Sequence, residues 1–144
     1  MPDFTQKRIT WQEFIQFVSE YDKLAEPRYF VHMQQPSTRR RVKRKGFIIG
    51  GFLDDVLVSV CVFTETGYNG WLILDYIYTI EQYRKQHYAT RLLLSFGPTC
   101  ARSSPMNLYL QYVGFTKHGD MYCYSSVPAQ ERTLKKLSKM VNKY

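Results

Sequence analysis

Leu74-Asp75-Tyr76-Ile77-Tyr78-Thr79-Ile80-Glu81-Gln82-Tyr83-Arg84-Lys85-Gln86-His87-Tyr88-Ala89-Thr90-Arg91-Leu92-Leu93-Leu94 changes character twice along its length. Its first residues are apolar and aromatic, which suits a buried strand. Glu81 to His87 are polar and basic, and Leu92, Leu93 and Phe96 then recur as the apolar side of a helix. A strand that runs into a helix start gathers unpaired backbone N–H groups and the positive end of the helix dipole at one turn. Such a turn is an anion site. Arg84, Lys85 and Arg91 crowd it, so a pyrophosphate-sized anion is the expected ligand.

Working outward, Gly46 to Phe52 is apolar, Asp54-Asp55 makes a turn, and Val56 to Thr64 is apolar and β-branched, which predicts a β-hairpin. Gly67 to Gly70 is a second turn, and Trp71 to Tyr78 the third strand of the meander. The following helix runs from about Tyr88 to Phe96 and stops at Gly97-Pro98. Thr99 to Arg102 supplies only a stub of strand. Ser103 or Ser104 can cap, and Pro105 suits the first turn of a helix over Met106 to Val113, with Gly114 just past its end. Phe115 to Lys117 and Met121 to Ser125 close as a hairpin around His118-Gly119-Asp120.

Upstream, Thr10 and Glu13 have capping-box spacing, and Trp11, Phe14, Ile15, Phe17, Val18 and Tyr21 recur at helical intervals, predicting an amphipathic helix from about Trp11 to Leu24. Residues 25–38 read as a loop with a short helical turn around Tyr29 to Met33. A basic loop over 34–45 follows. Residues 130–144 place Leu134, Leu137 and Val141 on one face and lysines on the other, as in a docked amphipathic helix.

The strand-loop-helix order carries a resemblance. Tyr83-Arg84-Lys85-Gln86-His87-Tyr88-Ala89-Thr90-Arg91-Leu92-Leu93 resembles the acyl-CoA loop of GNAT-type N-acetyltransferases, Arg/Gln-x-x-Gly-x-Gly/Ala before a helix. Arg84 matches the first position and Ala89 the last; His87 stands at the central glycine. Tyr109-Leu110-Gln111-Tyr112-Val113-Gly114-Phe115 is similar to the family's short helix ending in Gly-Phe. Order and spacing agree across residues 46–126. The resemblance implies a single α/β domain over 1–144, with a mixed, mostly antiparallel central sheet flanked by helices.

It also implies acyl-CoA-dependent N-acyltransfer, with acetyl-CoA or another acyl-CoA as cofactor and an amine as acceptor. Ile77, Tyr78 and Thr79 would offer main-chain groups to the pantetheine arm, and Arg84, Lys85, Gln86, His87, Tyr88, Ala89 and Thr90 would hold the pyrophosphate. The first helices would border the acceptor groove. Histidine for glycine restricts φ. Either the loop keeps its path with the imidazole outward, or it is altered and the site is weak or repurposed. Family members often carry a proton-donating tyrosine where Leu110 stands here; Tyr109 next to it is the candidate acid. Asp75, a carboxylate in an apolar strand, is the candidate base, because such a group needs a shifted pKa or a specific partner. The plainer readings are packing for Tyr109 and, for Asp75, a lip residue facing solvent or pairing with a nearby lysine.

Composition limits the alternatives. The net charge is +8, with 44% hydrophobic and 16% aromatic residues over 144 positions, enough for one packed core. Arg39, Arg40, Arg41, Lys43, Arg44 and Lys45, with Arg132, Lys135, Lys136, Lys139 and Lys143, hold eleven of the twenty basic residues. The remainder is mildly acidic, so the charge sits in two appendages and points to a polyanion, nucleic acid first and an acidic protein or membrane surface as alternatives, contacted through 39–45 and the C-terminal helix. A solvated loop or a localisation signal would use the same letters.

Cys61, Cys100 and Cys123 lack Cys-x-x-Cys spacing and read as reduced thiols. No metal-ligand spacing, hydrolase triad, signal peptide or membrane span is legible, so a cytoplasmic protein is expected. Two alternatives remain open: a GNAT-fold module that binds nucleic acid or a protein without catalysis, and a nucleobase-modifying enzyme like the phage Mom-type proteins.

Overall fold

The computed structural model describes residues 3–21, 33, 35–103 and 106–143. Among these, seven strands form one mixed sheet in the order β1-β2-β3-β4-β5-β7-β6. β1 is Phe4–Arg8, β2 Gly46–Leu53, β3 Val56–Glu65, β4 Leu72–Thr79, β5 Thr99–Arg102, β6 Thr116–His118 and β7 Met121–Tyr124. The β1–β2, β2–β3, β5–β7 and β6–β7 pairs are antiparallel, and β4–β5 is parallel over Leu72 to Leu74. Helices α1 (Trp11–Tyr21), α2 (Pro36–Lys45), α3 (Tyr88–Leu94), α4 (Asn107–Tyr112) and α5 (Glu131–Lys143) accompany them. The mixed, mostly antiparallel α/β architecture is thus the expected one. Residues 1–64 with 75–95 form one compact unit, and 65–74 with 96–144 a second; β4 contributes to both.

In the first unit, the expected hairpin turns at Asp54 and Asp55, whose φ values of 47° and 68° are both positive. Two left-handed residues match the twist of the flanking strands. The capping box forms as the spacing predicts: Glu13 N–H donates to Thr10 Oγ1 at 3.1 Å and Thr10 N–H to Glu13 Oε1 at 3.0 Å. Phe14, Phe17 and Val18 of α1 pack with Val58, Val60, Val62 and Tyr76 in the core. Burying Phe14 or Val18 fully contributes about 2 kcal/mol each. The end of that helix expected near Leu24 and the turn over Tyr29 to His32 lie outside the described residues.

Two elements depart from the sequence reading. β1 was not foreseen, because four of its five residues are exposed and it shows no apolar alternation. As an edge strand it has one hydrogen-bonded neighbour, and polar and charged side chains guard an edge. The second departure is the basic loop expected over 34–45: residues 36–45 are the helix α2. Pro36 lies in its first turn, where a missing N–H costs nothing, and Lys43, Arg44 and Lys45 complement the dipole in its last. Thr38 and Val42 are buried one turn apart, a period that the run of charge obscures.

In the second unit, Trp71, Ile73, Cys100, Met121, Cys123, Leu137 and Val141 form the core, so the apolar stripe of α5 is docked as its pattern predicts. Arg102 ties α5 down by donating to Val141 O at 2.6 Å. The stub expected over Thr99 to Arg102 is β5, and Gly114 takes a φ of 111° just beyond α4. Of the capping residues expected before α4, Ser104 and Pro105 lie outside the described residues.

Candidate functional site

The second half of β4, the turn after it and α3 bring most of the expected cofactor residues together in one unit. At the strand end, Thr79 Oγ1 and Ser59 Oγ are 2.8 Å apart, Ser59 Oγ donates to Tyr78 O at 3.2 Å, and Ile80 N–H donates to Val58 O at 3.0 Å. These contacts fix where β4 stops. A single 3-10 turn, Glu81–Tyr83, then reverses the chain, closed by Tyr83 N–H to Ile80 O at 2.9 Å.

Arg84 folds back rather than outward. Its Nε donates to Thr79 O at 2.9 Å, and its guanidinium lies 5.3 Å from the Tyr78 ring centroid. It therefore anchors the loop to the strand. Two of the carbonyls expected to face a cofactor arm, those of Tyr78 and Thr79, already accept side-chain hydrogen bonds. Ile77 and Tyr78 are half-buried and Thr79 is buried.

Lys85 and His87 both adopt left-handed backbone, with φ of 68° and 65°. His87 stands at the N-cap position of α3 with ψ of 15° and no side-chain cap, and Arg91 N–H donates to its carbonyl at 2.9 Å as the helix begins. The loop therefore holds, at the position of the family's central glycine, the conformation that glycine adopts without strain. The His87 side chain is exposed. Lys85 and Gln86 are also exposed; Tyr88, Ala89 and Thr90 are half-buried. Tyr88 stacks on Phe4 at 4.6 Å and the Arg91 guanidinium lies 4.7 Å from the same ring, so β1 fastens the start of α3. Leu92 and Leu93 are fully buried, and a side chain at Gly51 would come within 3.3 Å of Leu92 Cδ1. A depression of about 470 Å³ is lined by Phe4, Gln6, Thr90, Arg91, Leu94 and Ser95.

The candidate base sits in a different setting from the one expected. Asp75 Oδ1 lies 2.6 Å from Arg41 Nη2, and Oδ2 accepts from Thr64 Oγ1. The two charged side chains are 10% and 5% exposed, so the pair is effectively interior. Its partner is not a lysine but one of the arginines expected on phosphate. Arg41 is thereby withdrawn from the basic group. Arg39, Arg40, Lys43 and Arg44 are exposed and Lys45 is half-buried. This Arg41–Asp75–Thr64 cluster was missed as a unit. The available signal was a lone carboxylate in an apolar strand together with helical spacing of Thr38, Arg41, Val42 and Lys45.

Tyr109 lies half-buried in α4, in the second unit, with its carbonyl accepting from Val113 N–H at 3.1 Å. Leu110, where the family often has tyrosine, is 1% exposed and a core residue. Burial raises the thiol pKa of Cys61 far above its usual value and pushes that of Cys123 up to about 12. Neither thiol is suited to nucleophilic work. Among the described residues no group of three or more His, Cys, Asp or Glu could hold a metal ion, and no helix is long and apolar enough to cross a membrane.

No protein-family model matches the chain, and no curated protein sequence does. Solved structures do match in fold. An aminoglycoside 6′-N-acetyltransferase complexed with coenzyme A superposes with a TM-score of 0.65 at 9% identity, over 88% of this chain and 99% of that one. The ribosomal-protein-S18-alanine N-acetyltransferase of Escherichia coli gives 0.61 at 10% identity, over 90% and 97%. A GNAT family acetyltransferase from Brucella melitensis in complex with acetyl-CoA gives 0.57 at 12% identity, over 89% and 91%. The fold of this chain is the GNAT acetyltransferase fold.

Proposed function

We propose that this protein is an acyl-CoA-dependent N-acyltransferase, with acetyl-CoA or another acyl-CoA bound at the β4–α3 turn and an amine as acceptor. The observation that carries this reading is the left-handed His87. A histidine at φ 65° is strained by about 1–2 kcal/mol relative to right-handed backbone, so the loop keeps a glycine-like path although glycine is absent. A path held against strain is a common mark of a ligand site. Coenzyme A complexes among proteins of the same fold support the choice of cofactor.

In this reading the backbone amides of Tyr88 and Ala89, which precede the first intrahelical bond, would meet the pyrophosphate, and Lys85 would add positive charge beside it. Arg84 holds the loop to the end of β4. The thioester supplies the activated acyl carbon when the cofactor is bound. For Asp75 we favour a positioning role, because removing a proton from the acceptor would mean giving up an ion pair that is already satisfied.

Isothermal titration with acetyl-CoA, using desulfo-CoA as the thioester-free control, tests the reading. Saturable binding by the folded protein is expected, weakened at least about tenfold in Lys85→Ala, since a charged phosphate contact is worth on the order of 1.5–3 kcal/mol, and weakened also in Arg84→Ala, where the loop loses its anchor to Thr79 O. A folded protein that gives no binding heat with either ligand sinks it. The second reading, a module that binds without transferring, is favoured by the occupied Asp75 and the buried Leu110. Tight acetyl-CoA binding with no release of free CoA in the presence of polyamines, amino-terminal peptides or nucleic acid would select it.

A further inference from the structure

We propose that the outer face of α2 is a docking surface for the sugar-phosphate backbone of double-stranded nucleic acid. Arg39, Arg40, Lys43 and Arg44 are all exposed, and their spacing places them on one side of the helix. The helix sequence, Pro36-Ser37-Thr38-Arg39-Arg40-Arg41-Val42-Lys43-Arg44-Lys45, has no acidic residue. Among the described residues none of these four cations makes an ion pair. Like charges one turn apart repel, so this helix is destabilised by its own surface until a polyanion covers it.

Its opposite side explains why the helix stands nonetheless. Thr38 and Val42 are buried, Arg41 is pulled inward to Asp75, and Gly46 N–H bonds back to Val42 O at the helix end. The one arginine that could not reach a phosphate is the one used as the anchor. The basic face is therefore presented by a fixed helix rather than by a loose tail.

The chemistry of the face selects the partner. An anionic membrane binds amphipathic helices by taking up their apolar side, and here that side is already buried in the fold. A protein interface is centred on aromatic or aliphatic anchors, and single strands are gripped by stacking on aromatic rings. Residues 39, 40, 43 and 44 offer neither, only forks and a point charge suited to phosphate oxygens. The pairs Arg39/Arg40 and Lys43/Arg44 are one helical turn apart, about 6 Å, close to the axial rise of two phosphates along one strand of a duplex, about 7 Å. The proposal is independent of whether the chain binds acyl-CoA.

Fluorescence anisotropy of a labelled mixed-sequence duplex of about 20 base pairs, titrated between about 50 and 200 mM salt, tests it. The variant carries Arg39→Gln, Arg40→Gln, Lys43→Gln and Arg44→Gln. The control removes the same charge from α5, through Arg132→Gln, Lys135→Gln, Lys136→Gln and Lys139→Gln. Wild type should bind with a steep salt slope. The α2 variant should lose at least about a hundredfold in affinity at the lowest salt and about 3–4 from the slope, and the control no more than a few-fold. If circular dichroism shows that the fourfold variant unfolds, Arg39→Gln with Arg40→Gln carries the same test, with the slope falling by about 2. Equal losses in the α2 and α5 variants would mean that net charge alone binds, and the proposal fails. It fails equally if wild type ignores the duplex, or prefers single strands, poly-glutamate or phosphatidylserine vesicles at matched charge.

Discussion

At the scale of single residues, the chain spends stability at two places that a pattern reading passes over. His87 sits left-handed where glycine would be unstrained. His87→Gly should raise the urea unfolding free energy by about 0.5–1 kcal/mol after the extra chain entropy of glycine is subtracted, whereas His87→Val should lower it by about 1–2 kcal/mol. A destabilised glycine variant would show that the histidine side chain makes contacts that outweigh the strain. Asp75 is the second place. Removing one partner of an interior ion pair strands the other, so Asp75→Ala should cost about 3–5 kcal/mol. In an Arg41→Met background the same change should cost far less. Similar losses in both backgrounds would remove the pair from the account. The sequence carried half of this: an aspartate in an apolar strand demands a partner, but nothing local says which of six neighbouring cations supplies it.

Among the secondary-structure elements, legibility followed the strength of the local pattern. The β2–β3 hairpin, α1 with its capping box, α5 and even the four-residue β5 were readable, because each has either turn chemistry or a clear apolar period. β1 was hidden because an edge strand needs little apolar content. α2 was hidden because its period rests on only Thr38 and Val42 amid six charges. What holds α2 is tertiary: Thr38 and Val42 are buried, and its joint with β2 is tight, since a side chain on Gly46 would lie 2.4 Å from Phe63 O and 2.9 Å from Val42 Cα. Both obstacles are backbone and cannot swing aside. Gly46→Ala should therefore cost about 1–3 kcal/mol and visibly lower the melting temperature. An unchanged melt would mean that the helix can slide without loss.

For the whole molecule, the buried thiols predict how stability responds to alkali. Both Cys61 and Cys123 have folded pKa values raised above 9.0, through burial. Below pH 9 both folded and unfolded chains keep these protons, so the contribution is fully present. Above it the unfolded chain releases them first, and stability falls by about 1.4 kcal/mol per thiol per pH unit until the folded pKa is reached, about 12 for Cys123. Urea midpoints at pH 8 and 10.5 should differ accordingly, and Cys61→Ala should flatten the slope. An identical slope in that variant would assign alkaline loss to the tyrosines instead. The junction of α2 and β2 has a consequence of another kind. Lys45 ends the helix and Gly46 begins the strand, so the chain has no slack between them. Inserting one residue there would turn the helix by about 100° about its axis and carry Arg41 off Asp75. Length can vary freely in a loop, but at this joint the chain behaves like a keyed shaft, where one extra tooth brings every side chain round to the wrong bearing.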